Sequence, residues 1–204
     1  MLMFWPIRSL EHMQNRNIVR RIAIKEAREL LQSDFVVMDT ETTGLGQDAE
    51  IVEISITSSD GTDLFTSLVR PNTPIPPDVV AIHGIDNGMV RNAPTWKDIH
   101  DCVMHLFNGR KIAIYNSEYD LRMILQCSQA AGCRLPDLSR QAKCIMNIYS
   151  KYVGEWSTTH GNWKWHKLSQ AAQACGVDAQ NAHRALADTR MTLGVIRYIA
   201  AQEI

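Results

Sequence analysis

The 204-residue sequence predicts an α/β domain, in which three strands in antiparallel order precede strand-helix units. Two observations carry that reading. "FVVMD", "EIVEISITS" and "DLFTSLVR" are apolar, β-branched runs separated by turns containing Gly or Asp, the pattern of a meander. "RKIAIYN" is a fourth strand, and the helical pattern of "SEYDLRMILQCSQAAG" follows it directly.

Taken in order, residues 9 to 31 place Leu10, Met13, Ile18, Ile22, Ala27 and Leu30 at roughly helical spacing among Arg16, Arg20, Arg21, Lys25 and Arg28. This is an amphipathic helix packed on the core, with a solvated basic face that could also dock a partner. It sets residues 1-33 apart as a helical extension of a domain over residues 34-204. In "EIVEISITS" the apolar positions Val52, Ile54 and Ile56 alternate with polar ones. "RPNTPIPPD" ends the meander, because proline cannot donate to a ladder, and Pro77 starts a short helix through "DVVAIHG". Thr95 is the N-cap of a helix that Asn108-Gly109 stops. In the helix after "RKIAIYN", Leu121, Ile124 and Leu125 form the apolar stripe. "HKLSQAAQACG" is a further helix, and the last begins near Ala185 and carries Leu186, Met191, Leu193, Ile196 and Ile199.

With 45% apolar residues, the chain buries one substantial core. The formal charge is -1, from 21 Lys and Arg against 22 Asp and Glu, so any contact with nucleic acid must be local. Five cysteines without a C-x-x-C pair fit reduced thiols and a cytoplasmic protein. The opening "MLMFWPIRSL" lacks a basic segment before its apolar tip, and no apolar span reaches membrane length, so no membrane partner is expected.

The chemistry starts at "FVVMDTETTG". Residues two apart on a strand share a face, so Asp39 and Glu41 project side by side, and two carboxylates that close repel each other. A divalent cation relieves that repulsion; Mg²⁺ and Mn²⁺ take few carboxylates and fill their remaining positions with water and phosphate oxygens. Two more acids stand at element boundaries: Asp120, at the start of the helix after the fourth strand, and Asp188 in "HRALADT". His183 lies five positions before Asp188, about 140° of arc on an ideal helix, so the two face one site only if His183 precedes the helix. An imidazole beside such a cluster is suited to taking a proton from water near neutral pH.

"DTETTG", "IHGI", "YNSEYDLRMI" and "HRALADT", in this order, resemble the four motif blocks of the DEDDh-type 3′-to-5′ exonucleases, which include proofreading subunits and ribonuclease T. The resemblance spans about residues 34 to 202. It implies a ribonuclease-H-like fold, a mixed five-stranded sheet flanked by helices. It also implies that Asp39, Glu41, Asp120 and Asp188 bind two Mg²⁺, or Mn²⁺ as substitute, and that His183 is the general base. The same resemblance sets the 3′-terminal nucleotide against Thr42, Thr43 and Leu45, with His83 and Ile85 nearby, and gives Asn116 a role in orienting its loop. Leu45 could equally anchor its own turn by packing.

Where that family commonly has His and Phe around this Asn, Tyr115 and Tyr119 stand here, and each buried hydroxyl needs a partner. Cys144 replaces an Asp often found in the next block. "YSKYVGEWSTTHGNWKWHK" interleaves Tyr149, Tyr152, Trp156, Trp163 and Trp165 with Lys151, Lys164 and Lys167. Such a stretch either stacks the bases of a single strand or pins a long loop to the core. His160 and His166 have no Cys or His spacing that would suggest zinc. The implied activity is removal of 5′-mononucleotides from a free 3′ end, single-stranded DNA being favoured. An RNA exonuclease, or a subunit that depends on a polymerase docked through the N-terminal helix, is the alternative.

Overall fold

The computed structural model describes residues 7-180 and 182-203, with side chains from Asn15 onward. Five strands, β1 (Phe35–Thr42), β2 (Ile51–Ser58), β3 (Asp63–Leu68), β4 (Lys111–Ile114) and β5 (Ala142–Cys144), form one sheet in the order β3-β2-β1-β4-β5. The β1-β2 and β2-β3 pairs are antiparallel, and β4 and β5 continue the sheet in parallel from β1. This is the mixed sheet the motifs implied. Its fifth strand is the three-residue "AKC", which has too little β-branched character to read as a strand from sequence.

The pleat of β1 divides the core. Phe35 and Val37 face α1 (Ile7–Leu31), α6 (Ile145–Val153), α7 (Leu168–Ala174) and α8 (Ala185–Ala201). Val36 and Met38 face α4 (Trp96–Phe107) and α5 (Ser117–Ala130). A smaller cluster gathers Val52, Ile75, Ile85 and Val90 around α2 (Pro77–His83) and α3 (Asn87–Val90). Pro77 opens α2, and Thr95 begins α4 with a capping box to Asp98, both at the expected positions. A two-stranded hairpin, β6 (Trp156–Ser157) with β7 (Asn162–Trp163), stands apart from the sheet.

β2 is buried on both faces: Thr57 bonds to Thr189 of α8 at 2.8 Å, and Glu53 sits beneath α8, so its polar positions are covered as well as its apolar ones. Three expectations, all on helices, need correction. On α5, Ile124 is buried and Leu121 packs partly against the same cluster as expected, while Leu125 is exposed; Asp120, Met123 and Cys127, at spacings of 3, 4 and 7, complete the inward stripe. On α1 the packed residues are Ala23, Ile24, Ala27 and Leu30, while Ile18 and Ile22 face solvent. Leu10 and Met13 lie outside the described side chains.

The basic residues of α1 are also less solvated than expected. Arg28 donates to the carbonyls of Ala200 and Gln202 at 2.8 and 2.7 Å, capping the end of α8. Arg20 donates to the Tyr152 hydroxyl and lies 4.5 Å above that ring, and Lys151 of α6 pairs with Glu26 at 3.0 Å. Among the described residues no helix is long and apolar enough to cross a membrane, and all five cysteines are free thiols.

Candidate active site

The carboxyl ends of β1 and β4, the parallel pair at the centre of the sheet, open into one cavity of about 580 Å³. Its wall includes Asp39, Glu41, Asp120, His183 and Asp188. Asp39 and Glu41 share the pleat face that looks at α8, and Asp188 meets them from the first turn of that helix. One oxygen of each lies within 4.8 Å of the other two. Asp120 comes from the opposite side, on the first turn of α5, and stands outside that tight triad. Its Oδ1 accepts from the Thr40 amide at 3.1 Å and the Thr40 hydroxyl at 2.7 Å. Asn116 caps that helix, its carbonyl accepting the amides of Tyr119 and Asp120.

Burial and mutual repulsion push all four acids upward. Burial, then Asp120, Asp188 and Glu41 in turn, hold Asp39 well above the usual carboxylate range. Burial with Asp188 and Glu53 moves Glu41 to about 8; burial takes Asp120 to about 7 against the Thr40 hydrogen bonds. Asp188 is pushed by burial to about 6, opposed by the His183 amide. Four oxygen-donor carboxylates that resist ionising together suit a hard divalent cation, which supplies the missing positive charge. Among the described residues no other cluster of possible metal ligands forms, and His160 and His166 join none.

His183 is exposed at the cavity, in the loop before α8 as its spacing requires, with φ of 68° and its amide donating to Asp188 Oδ1 at 3.2 Å. The adjacent Arg184 donates to Glu53 through Nη2 at 2.6 Å and Nε at 3.1 Å, and the Ala185 amide adds a bond of 2.9 Å to the same carboxylate. Glu53 stands opposite Glu41 across the β1-β2 ladder. The sequence reading missed this pair, because a charged residue alternating with Val52 and Ile54 reads as one on a solvated face.

The loop after β1 is braced from several sides. Thr43 Oγ1 accepts the Glu50 amide, the Tyr119 hydroxyl donates to the Gly44 carbonyl at 2.9 Å, and Arg122 reaches the carbonyls of Leu45 and Gly46. Leu45 at its tip is 80% exposed, so it does not anchor the turn by packing. His83 is buried; its Nδ1 accepts the Ile85 amide, which leaves Nε2 as the donor to the Thr42 carbonyl at 3.3 Å. Burial also lowers its pKa, in the direction of the neutral ring. Ile85, expected near the terminal nucleotide, has its side chain fully buried in the small third cluster. Tyr115 donates to the His166 carbonyl at 2.9 Å, and Cys144 donates to the Tyr115 carbonyl.

Comparisons with known proteins give the family and the fold. Residues 36–196 match the RNase_T exonuclease family. The chain is 46% identical over 181 residues to the uncharacterized exonuclease CP81 of Escherichia phage 186, covering 86% of this chain and 93% of that protein. Exonuclease X, solved in complex with 5′ overhanging duplex DNA, superposes with a TM-score of 0.60 at 25% identity over 80% of this chain and 90% of its own. A 3′-exonuclease solved in 3′-end specific recognition of a histone mRNA stem-loop shares the fold, with a TM-score of 0.68 at 17% identity over 82% of this chain and 64% of its own. With its ribonuclease-H-like sheet and its acids at the carboxyl ends of β1 and β4, the chain belongs to the RNase_T family of exonucleases.

Proposed function

We propose that the chain is a metal-dependent 3′-to-5′ exonuclease, with residues 34-204 as the nuclease domain and the N-terminal helix as an extension. It releases 5′-mononucleotides from single-stranded DNA. The observation that carries this is the meeting of Asp39, Glu41 and Asp188 within 4.8 Å, with Asp120 and His183 on the same cavity wall.

Asp39, Glu41, Asp120 and Asp188 are the residues to hold two Mg²⁺, or Mn²⁺ in their place. Bound there, such ions supply Lewis-acid stabilisation of the phosphate and of the leaving 3′ oxygen. Asp39, whose carboxyl feels Asp120 and Asp188 as well as Glu41, would contribute a carboxylate to that metal-binding group. His183, solvent-facing and held by its own amide to Asp188, takes the proton of the attacking water. Thr42 and Thr43 offer backbone to the terminal nucleotide, Leu45 packs on its sugar and base, and His83 acts from beneath by fixing the Thr42 carbonyl.

The test uses 5′-labelled single-stranded and duplex DNA and RNA with Mg²⁺, Mn²⁺ or EDTA, beside Asp39→Asn. A ladder shortening from the 3′ end, with metal and in the parent alone, supports the proposal. Equal degradation by Asp39→Asn ends it, and preference for the RNA substrates replaces DNA as the substrate class.

A further inference from the structure

The aromatic stretch 149-165 divides into three groups. Tyr149 and Tyr152 are buried on α6 in the core shared with α1 and α8, and Tyr152 is further engaged by Arg20 and by Tyr198 edge-on. Trp156 and Trp163 face each other across the β6-β7 hairpin, with centroids 5.1 Å apart and planes at 83°. Trp165 is different. It is 59% exposed and pairs with no other ring among the described residues.

Its surroundings give that ring a use. Trp165 lines the acid-bearing cavity and also an adjoining hollow of about 300 Å³ bordered by Ser117, Glu118, Arg122 and Asn147. The two spaces share Asn116, Tyr119 and Met146, so the indole stands where one leads into the other. The backbone on either side is tied down: the Lys164 amide donates to the Glu155 carbonyl at 2.8 Å, and Tyr115 holds the His166 carbonyl. The ring is therefore presented on a fixed segment. Lys167, exposed on the same cavity wall, adds a cation for a neighbouring phosphate.

We infer that Trp165 is a stacking platform for a nucleobase of the bound single strand, within two nucleotides of its 3′ end. The inference rests on the exonuclease reading above. A π-face accepts any base, so the contact adds affinity without sequence preference. The occupant is a nucleic acid strand because the ring is continuous with the cavity in which a scissile phosphate must meet the carboxylates.

The experiment is a cycle. The parent, Trp165→Ala and Trp165→Phe each bind a short 5′-labelled oligothymidylate in EDTA, intact or with an abasic residue at the terminal or penultimate position. Trp165→Ala is expected to weaken binding of the intact strand roughly tenfold or more, with Phe restoring most of it. At one abasic position the parent should lose that same factor and Trp165→Ala nothing further. Equal losses on intact and abasic strands, or no loss at all, overturn the inference. Nuclease assays of the same proteins separate the two readings: a parent that binds by this cycle but cuts nothing defeats the exonuclease proposal alone. A parent that cuts while the cycle fails defeats the stacking platform alone.

Discussion

Arg184 grips Glu53 through two parallel hydrogen bonds, and the residue immediately before it, His183, is the one non-glycine residue of positive φ among those described. The left-handed region costs a side chain of this kind about 1 kcal/mol or more, so the surrounding structure must impose it. The half-buried ion pair and the Ala185 amide, both on Glu53, fix the chain on the far side of that turn. Arg184→Ala leaves Glu53 buried without its counter-charge. Because Arg184 is itself partly exposed, a loss of about 2 kcal/mol is expected rather than the full penalty of a wholly buried pair. Turnover should fall by more than KM rises, with Arg184→Lys recovering part of it. Chemical denaturation and steady-state kinetics check both; full turnover in Arg184→Ala would show that the pair does not position His183.

His183→Ala should lower turnover by roughly 10²- to 10⁴-fold, the usual contribution of a general base. The side chain is exposed and its bond to Asp188 is through the backbone, so the fold and the placement of the carboxylates should be kept. Isothermal titration with Mn²⁺ decides the role. Collapse of metal binding in the variant would make the imidazole a ligand rather than a base.

How much of this was legible follows from where each signal resides. Asp39 and Glu41 could be read as neighbours because strand periodicity is two and both end an apolar run; His183 and Asp188 followed from helical arc. Helix starts at Pro77 and Thr95 were written in local backbone chemistry. Glu53 was not legible as part of the site, because a charged residue alternating with Val52 and Ile54 looks like one on a solvated face until α8 is laid over it. Strand β5 pairs with β4 through three residues whose side chains carry no strand signal, so its place is set by the parallel ladder alone. The arginines of α1 were read by charge, whereas their reach to distant carbonyls is a property of the assembled fold.

The acid cluster gives a pH and metal dependence of definite sign. Carboxyl groups held above their ordinary pKa in the folded state keep protons that the unfolded chain has released. Their contribution to stability is therefore complete below about pH 4 and is lost as pH rises through the folded values of about 6 to 8. Metal-free protein should lose stability from this source across that interval, and Mg²⁺ should raise the melting temperature more at the alkaline end than at the acid end. Thermal melts with EDTA or Mg²⁺ across the interval measure it. A Mg²⁺ increment that shrinks with rising pH would contradict the assignment of these carboxylates as ligands.

Leu45 and Tyr119 separate recognition from architecture in one loop. Leu45 is exposed, so Leu45→Ala should leave stability within about 0.5 kcal/mol of the parent. If the side chain packs on the terminal nucleotide, the same change removes about 1 kcal/mol or more of substrate affinity, a KM roughly fivefold higher with kcat nearly unchanged. Tyr119→Phe acts from below, deleting the hydroxyl that holds the Gly44 carbonyl and meets Thr42 Oγ1. It should cost about 1 kcal/mol of stability and raise KM as well, because the loop that presents Leu45 is freed. In the double variant the two effects on KM should fall short of additive, since a loosened loop has less Leu45 contact to lose. Strict additivity would mean that the hydroxyl serves the fold alone, and an unchanged KM in Leu45→Ala would remove that side chain from the substrate site.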